Sequence, residues 1–177
     1  MIPGEFIALL TFPGVIVHEI AHQLFCRICR VAVFDVCYFR WGNPAGYVIH
    51  EKPRTINQQI LIGIGPFLVN TLFAALIAFP AAIPVMDFDS GNFLDYLLMW
   101  LGVSIAMHAF PSTVDANTIW QAVKNKQTPL LVKILTAPLV GLIYLGAVGS
   151  MIWLDLFYGV GVIMLGPQIL VNVLAGL

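Results

Sequence analysis

Charge is what this sequence has least of. Asp, Glu, Lys and Arg make up 10% of its 177 residues, where soluble domains carry about 25%. So few charges, with 60% hydrophobic residues and a mean hydropathy of +0.93, leave more apolar surface than one small water-soluble core can bury. A bilayer is the natural solvent, and each crossing of its ~30 Å hydrocarbon core takes ~20 apolar residues. A net charge of −1, with no basic patch and no glycine-rich phosphate loop, gives nucleic acid nothing to bind. Cysteine is also scarce. Cys26, Cys29 and Cys37 are too few, and odd in number, for a disulfide framework. Cys26 and Cys29 form a CxxC, but the second CxxC of a four-cysteine zinc site is missing, so they read as small buried hydrophobes. The first residues lack the basic stretch of a cleavable signal peptide.

What is present is long apolar runs. Five stand out: roughly Gly4 to Phe25, Ile56 to Phe79, Phe93 to Phe110, Leu130 to Leu154 and Leu156 to Leu177. Gly159 and Gly161 suggest the break between the last two. The expected fold is therefore an all-α polytopic membrane protein of about five transmembrane helices. All eight Lys and Arg residues fall in or beside the connections after the first and third runs. Alternation puts both connections on one side, which the positive-inside rule makes cytosolic. Five spans then place the N-terminus outside and the C-terminus inside.

Residues 34–53, "FDVCYFRWGNPAGYVIHEKP", read differently. β-branched and aromatic residues flank the turn signal Gly42 to Gly46, which predicts a two-stranded hairpin over about 34–50. Tyr38, Trp41 and Tyr47 suit a membrane interface, so the hairpin is expected to dip in beside the first helix.

The run "VIVHEIAHQLF", 15–25, carries the chemistry. Two of the four histidines and a glutamate sit in a helix with little other polarity, where ionisable groups are costly and mark function. Residues four apart share a helix face, so His18 and His22 can grip one metal ion, with Glu19 beside them as general base. This is the HExxH arrangement. Zinc fits because it accepts nitrogen ligands, keeps a position open and acidifies water. His22 lies five residues before Arg27, ~7.5 Å along a helix, which puts the metal in the cytosolic half of the hydrocarbon zone.

A catalytic zinc usually takes three protein ligands. The soluble continuation of HExxH needs Gly and His where Phe25 and Ile28 stand. Three candidates remain. Glu51 is the only glutamate after Glu19 but belongs to the hairpin region. Asp115, in "MHAFPSTVDANTIW", follows the third run and lies near the end of the HEIAH helix; it could equally cap a helix. His108 could be a ligand itself or an outer partner that orients Asp115.

HEIAH in the first membrane helix, "GPFLVN" in the second and an aspartate after a proline-broken third together resemble the site-2 protease family, over roughly residues 10–120. These are intramembrane zinc metalloproteases. The resemblance implies His18, His22 and Asp115 as zinc ligands and Glu19 as general base. It implies Gly65, Pro66 and Asn70 as a substrate-binding element, with Asn70 also catalytic through the scissile carbonyl. It implies an edge on the hairpin that pairs with an unwound substrate. His108 stands where the family commonly has Asn, Ala116 where it has Gly, and no insertion is large enough for a PDZ domain. The chain thus resembles a minimal, PDZ-less member. On this reading residues 1–127 form the catalytic membrane core, and 128–177 add two helices to the same domain. The expected substrate is a single-span membrane protein or a membrane-embedded remnant, cut on the cytosolic side of a prokaryotic cell membrane. The rival expectation is a catalytically inactive, metal-binding membrane protein that acts as a partner or sensor.

Overall fold

A computed structural model describes residues 4–126 and 128–175. Gln127, where the two expected parts meet, and the last two residues of the fifth apolar run lie outside the described residues. The chain is mostly helical, in the order α1 (Gly4–Leu10), α2 (Phe12–Ile28), β1 (Val33–Cys37), β2 (Tyr47–His50), α3 (Ile56–Ala82), α4 (Phe93–Met107), α5 (Thr113–Lys124), α6 (Leu130–Gly149) and α7 (Leu154–Ala175). A π-helical turn, Ile83–Asp87, extends α3. Among the described residues, three helices are long and apolar enough to cross a membrane: Ile56–Met86, Leu130–Gly149 and Leu154–Val173.

The first apolar run is not one helix. It bends by 88° between α1 and α2, and only together would they pass as a fourth span. Pro13 and Thr11 stand at the bend. Pro13 lies in the first turn of α2, where its missing N–H costs nothing. Thr11 Oγ1 donates to the Ile7 carbonyl at 2.7 Å and sits 2.8 Å from His108 Nε2. With its one proton used, the hydroxyl accepts from the imidazole.

α3 is the axis of the molecule. Its start is a capping box: Thr55 accepts from the Gln58 N–H, and the Gln58 side chain accepts from the Thr55 N–H. α2 runs antiparallel to its first half. A Cβ on Gly65 would collide with the Phe25 ring, so glycine there brings the two helices together. α4 lies beside the second half, where Gly102 packs on Ala74 and Ala78. Such small-residue contacts are how helices associate in lipid, where burial of apolar surface gives no drive.

After α4 the chain unwinds over residues 108–112 and resumes as α5, now beside the first half of α3, with Ile119 against Gly63. α4 has 15 residues, about 22 Å, short of a crossing. α4 and α5 together follow α3 as one interrupted path, and the interruption lies level with Asn70. The aspartate therefore lies in the first turn of a separate helix, just past the unwound segment.

The last helix departs from alternation. α6 packs on α5 through Val140 and Ile143, against Ala116, Ile119 and Val123. α7 runs parallel to α3. Tyr158 bonds Thr71 at 2.6 Å, Gly166 packs on Ala75, and a groove near its end faces Ala82 and Met86. α7 thus ends at the same end of the molecule as the Ile83–Asp87 turn, opposite to what five alternating spans require. The break before it is at Ser150–Ile152 and Trp153, which is left-handed at φ 64. Gly159 and Gly161 do not break the helix. Gly159 lets α7 approach the Val103 carbonyl of α4.

The hairpin forms as expected. β1 and β2 are antiparallel, with Cys37 opposite Tyr47 and Val33 opposite His50. It lies along α2, and its turn reaches back to the helix start: Phe39 meets Phe12, and Trp41 meets Phe6 edge-on at 5.6 Å.

Candidate metal centre

His18 and His22 sit on one face of α2, with ring centroids 4.8 Å apart. What surrounds their rings matters most. His18 Nδ1 donates to the His108 carbonyl at 2.6 Å, and His22 Nδ1 donates to the Ile62 carbonyl at 3.0 Å. Carbonyls only accept, so both Nδ1 atoms carry the proton and both Nε2 atoms of the neutral rings are bare lone pairs. Those two atoms face each other at 3.1 Å. Asp115 Oδ1 lies 3.7 Å from His22 Nε2. With both rings neutral, as metal ligands are, three electron-rich atoms converge, a geometry that a cation would satisfy. One ligand atom from each of His18, His22 and Asp115 lies within 4.8 Å of the others. Ligands about 2 Å from a tetrahedral ion are separated from one another by about 3.3 Å, so the residues fit zinc with small adjustment.

Asp115 answers both readings of it at once. Ser112 is the N-cap of α5 and Asp115 its third residue, in a capping box. Oδ2 accepts from the Ser112 N–H at 2.8 Å and from its hydroxyl at 2.6 Å. Oδ1 is left to face the histidines. The S-x-x-D spacing of Ser112 and Asp115 is the sequence signal for this box. The orienting partner of Asp115 is Ser112, not His108. His108 acts instead through its backbone carbonyl, which fixes His18, while its ring goes to Thr11.

Glu19 is 8% exposed. It borders a cavity of about 530 Å³, together with the three candidate ligands. The hairpin turn closes over it. A Cβ on Gly46 would stand 2.7 Å from Glu19 Cγ. Across the cavity are Gly146, Ala147 and Ser150 of the α6–α7 junction. Glu51 takes no part; its N–H pairs with the Ala32 carbonyl beside the hairpin.

Gly65, Pro66 and Asn70 are not at the cavity wall. All three are buried in α3. Asn70 is fully buried, and its Nδ2 lies 3.1–3.3 Å from the carbonyls of Gly14, Ile105 and His108. Its two hydrogens point to carbonyls of α2, α4 and the unwound segment, so the side chain steadies the site from behind. Ser104 adds to this clamp. It accepts from the Gly14 N–H and donates to the Thr11 carbonyl. Neither Ser104 nor Thr11 carries a sequence signal, because each acts through partners about ninety residues away.

No curated protein and no solved structure matches the chain. A protein-family model does, over residues 11–130. That stretch opens at the bend, holds every residue of the cluster and its supports, and stops where α6 begins. The match covers more than half of the chain, and the chain belongs to the metallopeptidase family described as "Putative zincin peptidase".

Proposed function

We propose that this protein is an intramembrane zinc metalloendopeptidase of the site-2 protease kind, which hydrolyses a peptide bond in or near a membrane-spanning segment. The observation that carries the reading is the meeting of His18, His22 and Asp115 beside buried Glu19, in a cavity bordered by β2. His18, His22 and Asp115 would hold the zinc. When bound, zinc supplies a Lewis acid that lowers the pKa of water to near 7. Glu19 takes the proton of the attacking water and delivers it to the leaving amine nitrogen. The hairpin turn over Glu19 keeps bulk solvent away from that transfer.

Residues 46–48 and His50 border the same cavity. An extended substrate can pair with the backbone of this strand, and a helical one must unwind first, since its peptide bonds are shielded. The basic residues Arg27, Arg30, Lys52, Arg54, Lys124 and Lys126 flank the adjoining ends of α2, α3, α5 and α6, which supports a cytosolic-facing site. The substrate class we favour is a single-span membrane protein or its trimmed remnant.

The test compares cells that carry wild type with cells that carry Glu19→Gln, scoring membrane proteins for uncut fragments. Purified Glu19→Gln should keep its zinc, and cells that carry it should accumulate such fragments. If processing continues unchanged in that variant, the mechanism is wrong. An inactive binding protein would have no use for a buried carboxylate at this position, which is why we rank it second.

A further inference from the structure

Pro66 sits inside α3, with helix before and after it. Proline has no N–H, so it cannot bond the carbonyl four residues back. That carbonyl belongs to Ile62, whose residue is 2% exposed. A buried carbonyl stripped of its helical donor needs another, and the donor it has is His22 Nδ1–H, at 3.0 Å. Four residues on, Asn70 lies on the same face of α3. Its amide holds the His108 carbonyl at 3.2 Å, and that carbonyl receives His18 Nδ1–H at 2.6 Å.

We infer that Pro66 is a positioning residue: by withdrawing a helical hydrogen bond it dedicates the Ile62 carbonyl to His22 and so turns that ring's Nε2 toward the metal. Asn70 does the same for His18 through the His108 carbonyl. One face of α3 thus sets the tautomer and aim of both histidine ligands without touching the metal or the substrate. The inference rests on the zinc reading above. It assigns Pro66 a chemical task, where helix packing alone would assign it only a shape.

Pro66→Ala restores the missing N–H, which pulls the Ile62 carbonyl back into the helix ladder. Loss of such an outer partner weakens metal binding about 10- to 100-fold. We expect that loss of zinc affinity, measured by competition with a chelator, with helix content and thermal stability retained. Pro80→Ala, in the same helix and on its exposed surface, should leave affinity within about twofold of wild type, inside the usual spread of such effects. A second measurement needs no variant fold. In ¹⁵N-histidine-labelled wild type, assigned by loss of a signal in His22→Gln, the His22 proton should reside on Nδ1.

Unchanged zinc affinity in folded Pro66→Ala, or a His22 proton on Nε2, overturns the inference while wild type still binds zinc. Wild type that binds no zinc overturns the functional reading, and this inference falls with it.

Discussion

Gly46 rests on Glu19. A methyl group at position 46 would lie 2.7 Å from Glu19 Cγ, 3.0 Å from Oε1 and 3.0 Å from the Tyr38 carbonyl. The last contact is backbone and cannot swing aside. Gly46→Ala must therefore lift the turn or displace the carboxylate. We predict at least a tenfold fall in kcat/KM, about 1.4 kcal/mol of transition-state stabilisation, with zinc per chain unchanged. Zinc analysis and turnover of one preparation check this together. Full activity in Gly46→Ala would mean the turn does not set the base.

The two oxygens of Asp115 have separate partners, which separates two substitutions. Asp115→Ala should lose most of the bound zinc. Ser112→Ala removes only the cap and the orientation of the carboxylate. It should cost about 1 kcal/mol of stability and about tenfold in zinc affinity. Glu51→Ala should change neither. Zinc retained in Asp115→Ala would move the third ligand to His108.

Metal removal should register as stability. A ligand present at a thousand times its Kd stabilises by about 4 kcal/mol. Chelation should lower the Tm of wild type in detergent and leave a His18→Ala/His22→Ala variant where it was. An equal response in both would place the metal elsewhere.

Gly14 is a packing prediction independent of metal. Its N–H donates to Ser104 Oγ, its carbonyl accepts from Asn70, and a Cβ there would strike the Ser104 carbonyl. Gly14→Ala overpacks a rigid contact and should cost about 1–3 kcal/mol, read as a lower Tm in the zinc-free protein. No shift would show that α2 and α4 can slide apart freely.

The parts of this site that could be read in the sequence are the local ones. HEIAH needs only the helical period to pair His18 with His22, and the Gly42–Gly46 signal needs only turn chemistry to bend the hairpin. Asp115 was reachable because proline broke the pattern before it. The bend at Thr11 was not, since it depends on a hydrogen bond to a histidine 97 residues away. Nor was the direction of α7. Its reversal of the expected order begins at Trp153 in a left-handed conformation, which nothing in "IWLDLF" announces. Of the two glycines that suggest a break there, Gly159 is a contact point for α4 and Gly161 faces open space. Pro66 and Asn70 stand out as a motif, but which carbonyls lose or gain a donor there depends on how three helices pack.

The interrupted path of α4 and α5 has a mechanical consequence. Helices in lipid are held together by weak, short-range contacts, without the drive that collapses a soluble core. A metal gripped by α2 on one side and by the first turn of α5 on the other is a staple across that assembly. It closes a long loop of chain, and such closures add stability that grows slowly with loop length. The ion that equips this cavity for hydrolysis would then also fasten the far half of the broken helix to the first, so that losing it would loosen the architecture along with the chemistry.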